Sequence, residues 1–230
     1  MNEHLAWDAL NNEIVHCRAC PRLVVWREEV ARQKRRAYRE WDYWGKPVPG
    51  FGDPHARLLI VGLAPGAHGS NRTGRMFTGD ASGDFLYAAL YRAGFASQPY
   101  ASHRLDGLEM RDAFITAVCR CVPPKNRPLP EEITACRPFL LRELALLRQV
   151  RGIVALGRVA FDQIAGIYRA QRNELSHLTF QHGALYSLGE NHPWILASYH
   201  PSRQNTQTGR LTAAMFDAVW KRAKIELANA

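Results

Sequence analysis

Leu58-Leu59-Ile60-Val61 is an unbroken apolar run bounded by Pro54 and Gly62. Such a run, with no polar alternation, suits a strand buried on both faces of a sheet. The chain then turns polar at once. Gly62, Pro65, Gly66, Gly69, Gly74 and Gly79 break any regular element over roughly the next twenty residues, a loop length that compact domains keep mostly for function. A helical pattern resumes near Ser82 with Phe85, Leu86, Ala89 and Leu90. Strand, glycine-rich polar loop, helix is the layout of a ligand site at the carboxyl end of a parallel strand.

The same grammar recurs. Phe114 to Val118, Gly152 to Leu156 and Trp194 to Ser198 read as further buried strands, with a short antiparallel excursion over 180–188. Helices are expected over 5–16, from Pro21 to about Tyr38, and over 82–94, 130–149, 158–170 and 208–227. Pro21 and Pro130 suit first helical positions, and Gly94 suits a helix end. Four strands alternating with helices predict an α/β domain of three layers, a central four-stranded parallel sheet flanked by helices. A chain of 230 residues fits one such domain. The aromatic, Pro/Gly-rich stretch 41–52 is expected to pack over the core as an ordered loop.

Lys and Arg outnumber Asp and Glu by 30 to 21, a net charge of +9. That excess favours polyanions, of which nucleic acid is the commonest soluble one. No long apolar run predicts a membrane span. The N-terminus carries acids and no apolar core of a signal sequence, so a cytoplasmic location is expected. The stretch 21–39 holds Arg27, Arg32, Lys34, Arg35, Arg36 and Arg39, either a solvated helix face or a phosphate-contacting one.

Five cysteines stand at 17, 20, 119, 121 and 136. An odd count in such a chain argues against a disulfide framework. Cys17 and Cys20 leave one turn in the same direction, and Cys121 and Cys136 come from a loop and the helix after it. This two-near, two-far spacing fits a cubane iron–sulfur cluster; it suits structural zinc less well, and free thiols remain an alternative. Cys119 alternates with Cys121 and should leave the chain on the opposite face. Two polar loops follow strand ends. One is 62–80, without the Gly-Lys-Ser/Thr of a phosphate-binding Walker loop. The other begins at His200-Pro201-Ser202.

GLAPGAHGSNRTGRMFTGDASGDFLY (62–87), CVPPKNRPLPEEITAC (121–136) and HPSRQNTQTGRLT (200–212), behind Cys17-x2-Cys20, together resemble the uracil-DNA glycosylase superfamily. The likeness is to its iron–sulfur branch, and within that to the b-type (family 5) enzymes. The resemblance implies the parallel-sheet fold above and a [4Fe-4S] cluster on Cys17, Cys20, Cys121 and Cys136. That cluster would tie an N-terminal helical segment into the single domain 1–230. It also implies hydrolysis of the N-glycosidic bond of a deaminated base in DNA. Uracil is expected first, then hypoxanthine or xanthine, with double-stranded DNA accepted, single-stranded DNA admitted, and the protein acting as a monomer.

The resemblance also distributes roles. His200 would stabilise the departing base and Asp80 would serve as the second catalytic residue. Phe77 would stack on the extruded base, and Gly62, Ala64, Gly66 and Asn126 would line its pocket. Ser202 and Asn205 would belong to the segment that enters the duplex. Arg203 stands where relatives more often carry Pro. Other branches place a polar residue at Leu63 or Ala64 to hold the attacking water; both are apolar here, as in the b-type branch. Ala117 replaces an amide that another branch uses to read uracil, which widens the expected range of bases. No lysine is placed for a Schiff base, so no lyase step is expected. Two rivals stand beside this reading. One is a non-catalytic iron–sulfur protein of the same fold that binds DNA. The other is a phosphohydrolase, which would need a metal-binding carboxylate pair at the strand ends.

Overall fold

The computed structural model describes residues 3–170 and 178–229. Its centre is a sheet in the order β1-β3-β2-β4-β6-β5. Four strands are mutually parallel: β2 (Leu58–Gly62), β3 (Ala113–Ala117), β4 (Gly152–Leu156) and β6 (Trp194–Ser198). All four are buried end to end, as their unbroken apolar runs require. The two outer strands, β1 (Phe51–Gly52) and β5 (Leu185–Tyr186), are antiparallel to their neighbours. They make the sheet six-stranded and mixed. At two residues each they are too short to show a periodicity, although β5 falls inside the expected excursion.

Alternation along β2 sorts its side chains into two cores. Leu58 and Ile60 face one side, with α4 (Ala81–Arg92) and α8 (Ala213–Ala228). Leu59 and Val61 face the other, with α1 (Glu3–His16), α5 (Pro130–Leu146) and α6 (Arg158–Arg169). Helices on both faces complete three layers. The N-terminal α1 belongs to this core directly: Trp7 packs on Phe114 with ring centroids 5.0 Å apart.

Two helix expectations need correction. The helix that opens at Pro21, α2 (Pro21–Gln33), stops before the basic run ends. Lys34 adopts φ 52°, and a short 3-10 turn at Arg36–Tyr38 follows. The final helix, expected over 208–227, starts later, as α8 at Ala213, where Thr212 caps it through its hydroxyl on the Met215 N–H; a separate short helix, α7 (Arg203–Gln207), capped by Ser202, forms in the polar stretch before it. No described helix is long and apolar enough to cross a membrane.

The chain runs from β2 outward to β3, then jumps back over β2 to β4. Adjacent strands β2 and β4 therefore send their following loops in opposite directions. That divergence opens a crevice beyond their carboxyl ends, where ligands bind in open α/β sheets. The loops after β2, β4 and β6 all begin at this edge.

Candidate active site and thiol cavity

The loop after β2 is short of side chains where it must fold tightly. A Cβ on Gly62 would lie 2.8 Å from Phe77 Cζ, so glycine there lets the aromatic ring settle on the strand end. Phe77 itself has φ 51°. A bulky residue in the left-handed region costs about 1–2 kcal/mol and persists only where its surroundings hold it. The ring is held beside His200, with centroids 5.7 Å apart and planes 30° apart.

A short helix, α3 (Ser70–Thr73), braces the loop from within. Arg72 is buried, its guanidinium packed on both Tyr38 at 3.9 Å and Trp41 at 4.0 Å, two rings set edge to face. It donates to the carbonyls of His68 (2.7 Å) and Gly79 (2.8 Å), so one side chain ties both arms of the loop. Trp44 packs against Gly74, and the Trp44 N–H donates to Arg72 O. The stretch 41–52 is thus the ordered cover that its aromatic content suggested.

Asp80 ends the loop with a divided carboxylate. Oδ1 accepts from the backbone N–H groups of Ser82 (3.0 Å) and Gly83 (3.1 Å) and so caps α4. Oδ2 has no hydrogen-bond partner in the described structure. It lies beside the glycine loop, 2.7 Å from where a Gly66 Cβ would stand and 1.9 Å from where a Gly69 Cβ would stand. Both glycines clear room for this one oxygen.

These groups line a single cleft of about 610 Å³. Of the residues expected to act, Ala64, Gly66, Phe77, Asp80, Asn126, His200 and Ser202 are on its walls. Gly62 lies beneath Phe77, and Asn205 lies behind His200, whose carbonyl accepts from Asn205 Nδ2 at 2.9 Å. The turn that carries Asn126 has positive φ at both Lys125 and Asn126, 54° and 56°. Arg35, Tyr38 and Arg203 also line the cleft.

Burial tunes His200 and Asp80 alike against charge. The His200 imidazole is pushed down to about 4 by desolvation, so it is neutral at physiological pH. Neither of its ring nitrogens has a protein partner in the described structure. Asp80 is raised by desolvation, which the Gly83 and Ser82 N–H groups only partly offset. The cleft therefore presents a neutral imidazole and an uncommitted carboxylate oxygen, and no described residue on its walls is a lysine.

The cysteines form a second centre, away from the cleft. Cys17, Cys20, Cys121 and Cys136 line one small cavity together with Arg27 and Arg120, while Cys119 is not on its wall. Cys119 is buried in the adjoining apolar core. Among the described residues, no three of His, Cys, Asp or Glu converge so as to hold a single metal ion.

Charge around the cavity is unbalanced. Arg27 is 2% exposed and donates to Cys121 Sγ at 2.9 Å and to Cys17 O at 3.2 Å. Its nearest carboxylate is Glu28 at 3.8 Å, and its Nε has no partner. Burial pushes the Cys121 thiol up to about 11 against the pull of Arg27. A neutral thiol leaves the buried guanidinium with only the half-exposed Glu28, which Arg18 shares, as its anion, whereas metal-bound thiolates would supply a closer one. The Arg120 N–H also donates to Cys136 Sγ at 3.2 Å. Cys136 is held below its ordinary value, first by its contact with the Cys119 thiol. The donor set fits an anionic thiolate-bound group.

Arg27 was grouped in sequence with the basic run on an exposed or phosphate-facing surface. The structure turns it inward. Its spacing carried the signal, because it shares the buried face of α2 with Leu23, Val24 and Val30. The aromatic contacts of Arg72 left no local signal, since Tyr38 and Trp41 lie some thirty residues earlier in the chain.

A family model described as the uracil DNA glycosylase superfamily matches residues 49–224. A type-5 uracil-DNA glycosylase of Thermus thermophilus is 54% identical over 218 residues, covering 94% of this chain and 96% of the relative. A type-5 uracil-DNA glycosylase of Pyrobaculum aerophilum is 45% identical, covering 94% and 92%. A type-4 uracil-DNA glycosylase of Sulfurisphaera tokodaii is 32% identical, covering 76% and 72%.

Proposed function

The chain belongs to the uracil-DNA glycosylase superfamily, and from that premise we propose that it hydrolyses the N-glycosidic bond of uracil in DNA and leaves an abasic site. The observation that carries this reading is the convergence of Phe77, Asp80 and His200, from the loops after β2 and β6, on one cleft at the switch point of the sheet. A base cannot be attacked within the helical stack, so the nucleotide is first flipped out. Phe77 offers the extruded base a ring face, with His200 alongside.

As the glycosidic bond breaks, the base gains negative charge at O2 and the sugar gains positive charge. The neutral His200 imidazole donates a hydrogen bond to the departing oxygen, in a site where it is already positioned and poorly hydrated. Asp80 Oδ2 orients the water that adds to the sugar carbon and offsets the charge developing there. Leu63 and Ala64 bring no polar group to that task. A cleft without lysine supports a monofunctional reaction with no Schiff base. Ala117, buried at the end of β3, carries no amide to discriminate bases, which supports hypoxanthine and xanthine as further substrates.

Cys17, Cys20, Cys121 and Cys136 would hold a [4Fe-4S] cluster, with Arg27 as buried counter-charge. Thiols set around a cavity, and not around one point, suit a polynuclear group better than zinc. Bound there, the cluster would act as a structural tie between the N-terminal turn, the loop after β3 and α5. The double-stranded substrate, the monomeric state and a cytoplasmic location remain part of this proposal. Release of uracil from a duplex, with strand scission only after alkali, tests it.

A further inference from the structure

Phe77 holds a backbone conformation that bulky residues avoid, at φ 51°. What keeps it there lies behind the cleft. Met76 O accepts from the Tyr87 hydroxyl at 2.8 Å and from the Thr78 hydroxyl at 3.1 Å. The Gly79 N–H donates to Ala101 O at 2.8 Å. A Cβ on Gly83 would stand 1.7 Å from Phe77 O, so the turn is also pressed onto the start of α4.

One buried ion pair anchors this turn. Arg75 Nε donates to Thr78 Oγ1 at 2.9 Å, and its two terminal nitrogens donate to the two oxygens of Asp106, both at 2.8 Å. Both charged side chains are 4% exposed. Asp106 also accepts from the backbone N–H groups of Ser102 (2.8 Å), His103 (3.3 Å) and Leu108 (3.1 Å), and so organises the turn 101–108. Burial pushes its carboxyl up, but Arg75 and the Leu108 and Ser102 N–H groups outweigh burial and hold it down at about 2. The Phe51 ring covers the guanidinium at 4.9 Å. A forked Arg–carboxylate pair of this kind fixes direction as well as distance. Arg75, Thr78 and the whole of 101–108 are off the cleft wall, whereas Met76, Phe77 and Gly79 are on it.

We infer that Arg75 and Asp106 are positioning residues for the reaction: through Thr78 they fix the turn that aims the Phe77 ring at the extruded base. The use made of Phe77 rests on the glycosylase reading, while the brace is a set of contacts within this chain alone. The link is continuous, because Thr78 Oγ1 accepts from Arg75 and donates to Met76 O, the carbonyl just ahead of Phe77. A buried ion pair adds little net stability over an apolar pair of the same size, so what this one contributes is geometry. Without it the Phe77 backbone relaxes towards negative φ, which releases its strain and carries the ring off the strand end beside His200.

The test is NMR of the full-length protein with labelled histidine rings, since the His200 signals sense the Phe77 ring whose centroid is 5.7 Å away. Arg75→Lys keeps the charge opposite Asp106 and loses the fork. Thr78→Val keeps the ion pair and loses the link to Met76. Both variants should move the His200 signals towards their positions in Phe77→Leu and leave those of His16, at the end of α1, in place. In single-turnover cleavage of a U·G duplex each should lose about tenfold. That loss should vanish in a Phe77→Leu background, because substitutions that act through one group are not additive. His200 signals unmoved in both variants would overturn the inference. So would an equal loss of rate with and without Phe77, the mark of a merely structural pair. Shifted His200 signals in the variants, with a wild type that yields no alkali-labile product, would uphold the brace and sink the glycosylase reading.

Discussion

The carboxylate of Asp80 occupies the space in which a side chain on Gly69 would begin: a Cβ at Gly69 would stand 1.9 Å from Asp80 Oδ2. The first turn of α4 holds the other oxygen, so Asp80 cannot retreat without uncapping the helix. Gly69→Ala should therefore displace the carboxylate. We expect the single-turnover rate to fall about a hundredfold, the scale on which small misplacements act, with the circular dichroism spectrum retained. An undiminished rate would mean that the position of Oδ2 is unimportant.

Asp80 has two roles that substitution separates. Asn is as good a helix cap as Asp, whereas Ala loses about 1 kcal/mol of stability at such a position. Asp80→Asn should thus keep the stability seen in urea unfolding, and Asp80→Ala should lower it. Both should lose about two to three decades in rate if the charge acts on the reaction. Retention of rate in the Asn variant would reduce Asp80 to a cap.

His200→Ala should lower the single-turnover rate by about two to three decades. The pH profile carries a sharper expectation. The folded value of about 4 lies below the ordinary 6.5, so the neutral donor form persists as pH falls until about 4 is reached. The rate should show no inflection near 6.5. Asp80 is raised above its ordinary value by burial, so an acid limb from its protonation is expected and should be absent in Asp80→Asn. A limb near 6.5 that vanishes in the His200 variant would contradict a neutral imidazole.

Cys17→Ser and Cys136→Ser should yield protein without brown colour and with little bound iron. Cys119→Ser should keep both, since its thiol is off the cavity wall. Arg27→Met should also impair iron retention, because it removes the buried charge beside Cys121. Iron analysis and visible absorbance read all four variants. Loss of iron on changing Cys119 would revise the ligand set.

What could be read in the sequence follows from how local each signal is. β4 and β6 were read to the residue because glycine, proline or histidine punctuates uninterrupted apolar runs, and β2 and β3 to within one. The break at Lys34 has no local signal, because Lys and Arg are good helix formers; the segment after it is held by contacts with distant residues, among them Tyr38 and Trp41 on Arg72. The start of the last helix at Ala213 and the short α7 before it differ from the helix expected over 208–227, although Ser202 and Thr212, both N-caps, are visible as residue types. The cleft itself was legible from two polar loops after strand ends. The division of the Asp80 carboxylate and the aromatic contacts of Arg72 depend on contacts between distant segments, which no spacing encodes, whereas the inward turn of Arg27 was there to be read in its spacing with Leu23, Val24 and Val30.

The most direct measurement is single-turnover incubation with a labelled duplex carrying one U·G pair, read with and without alkali. A cut uracil strand is expected only after alkali, with free uracil released in equal amount. Tight binding by iron-replete protein with no alkali-labile product would contradict it and leave a non-catalytic DNA-binding protein of the same fold.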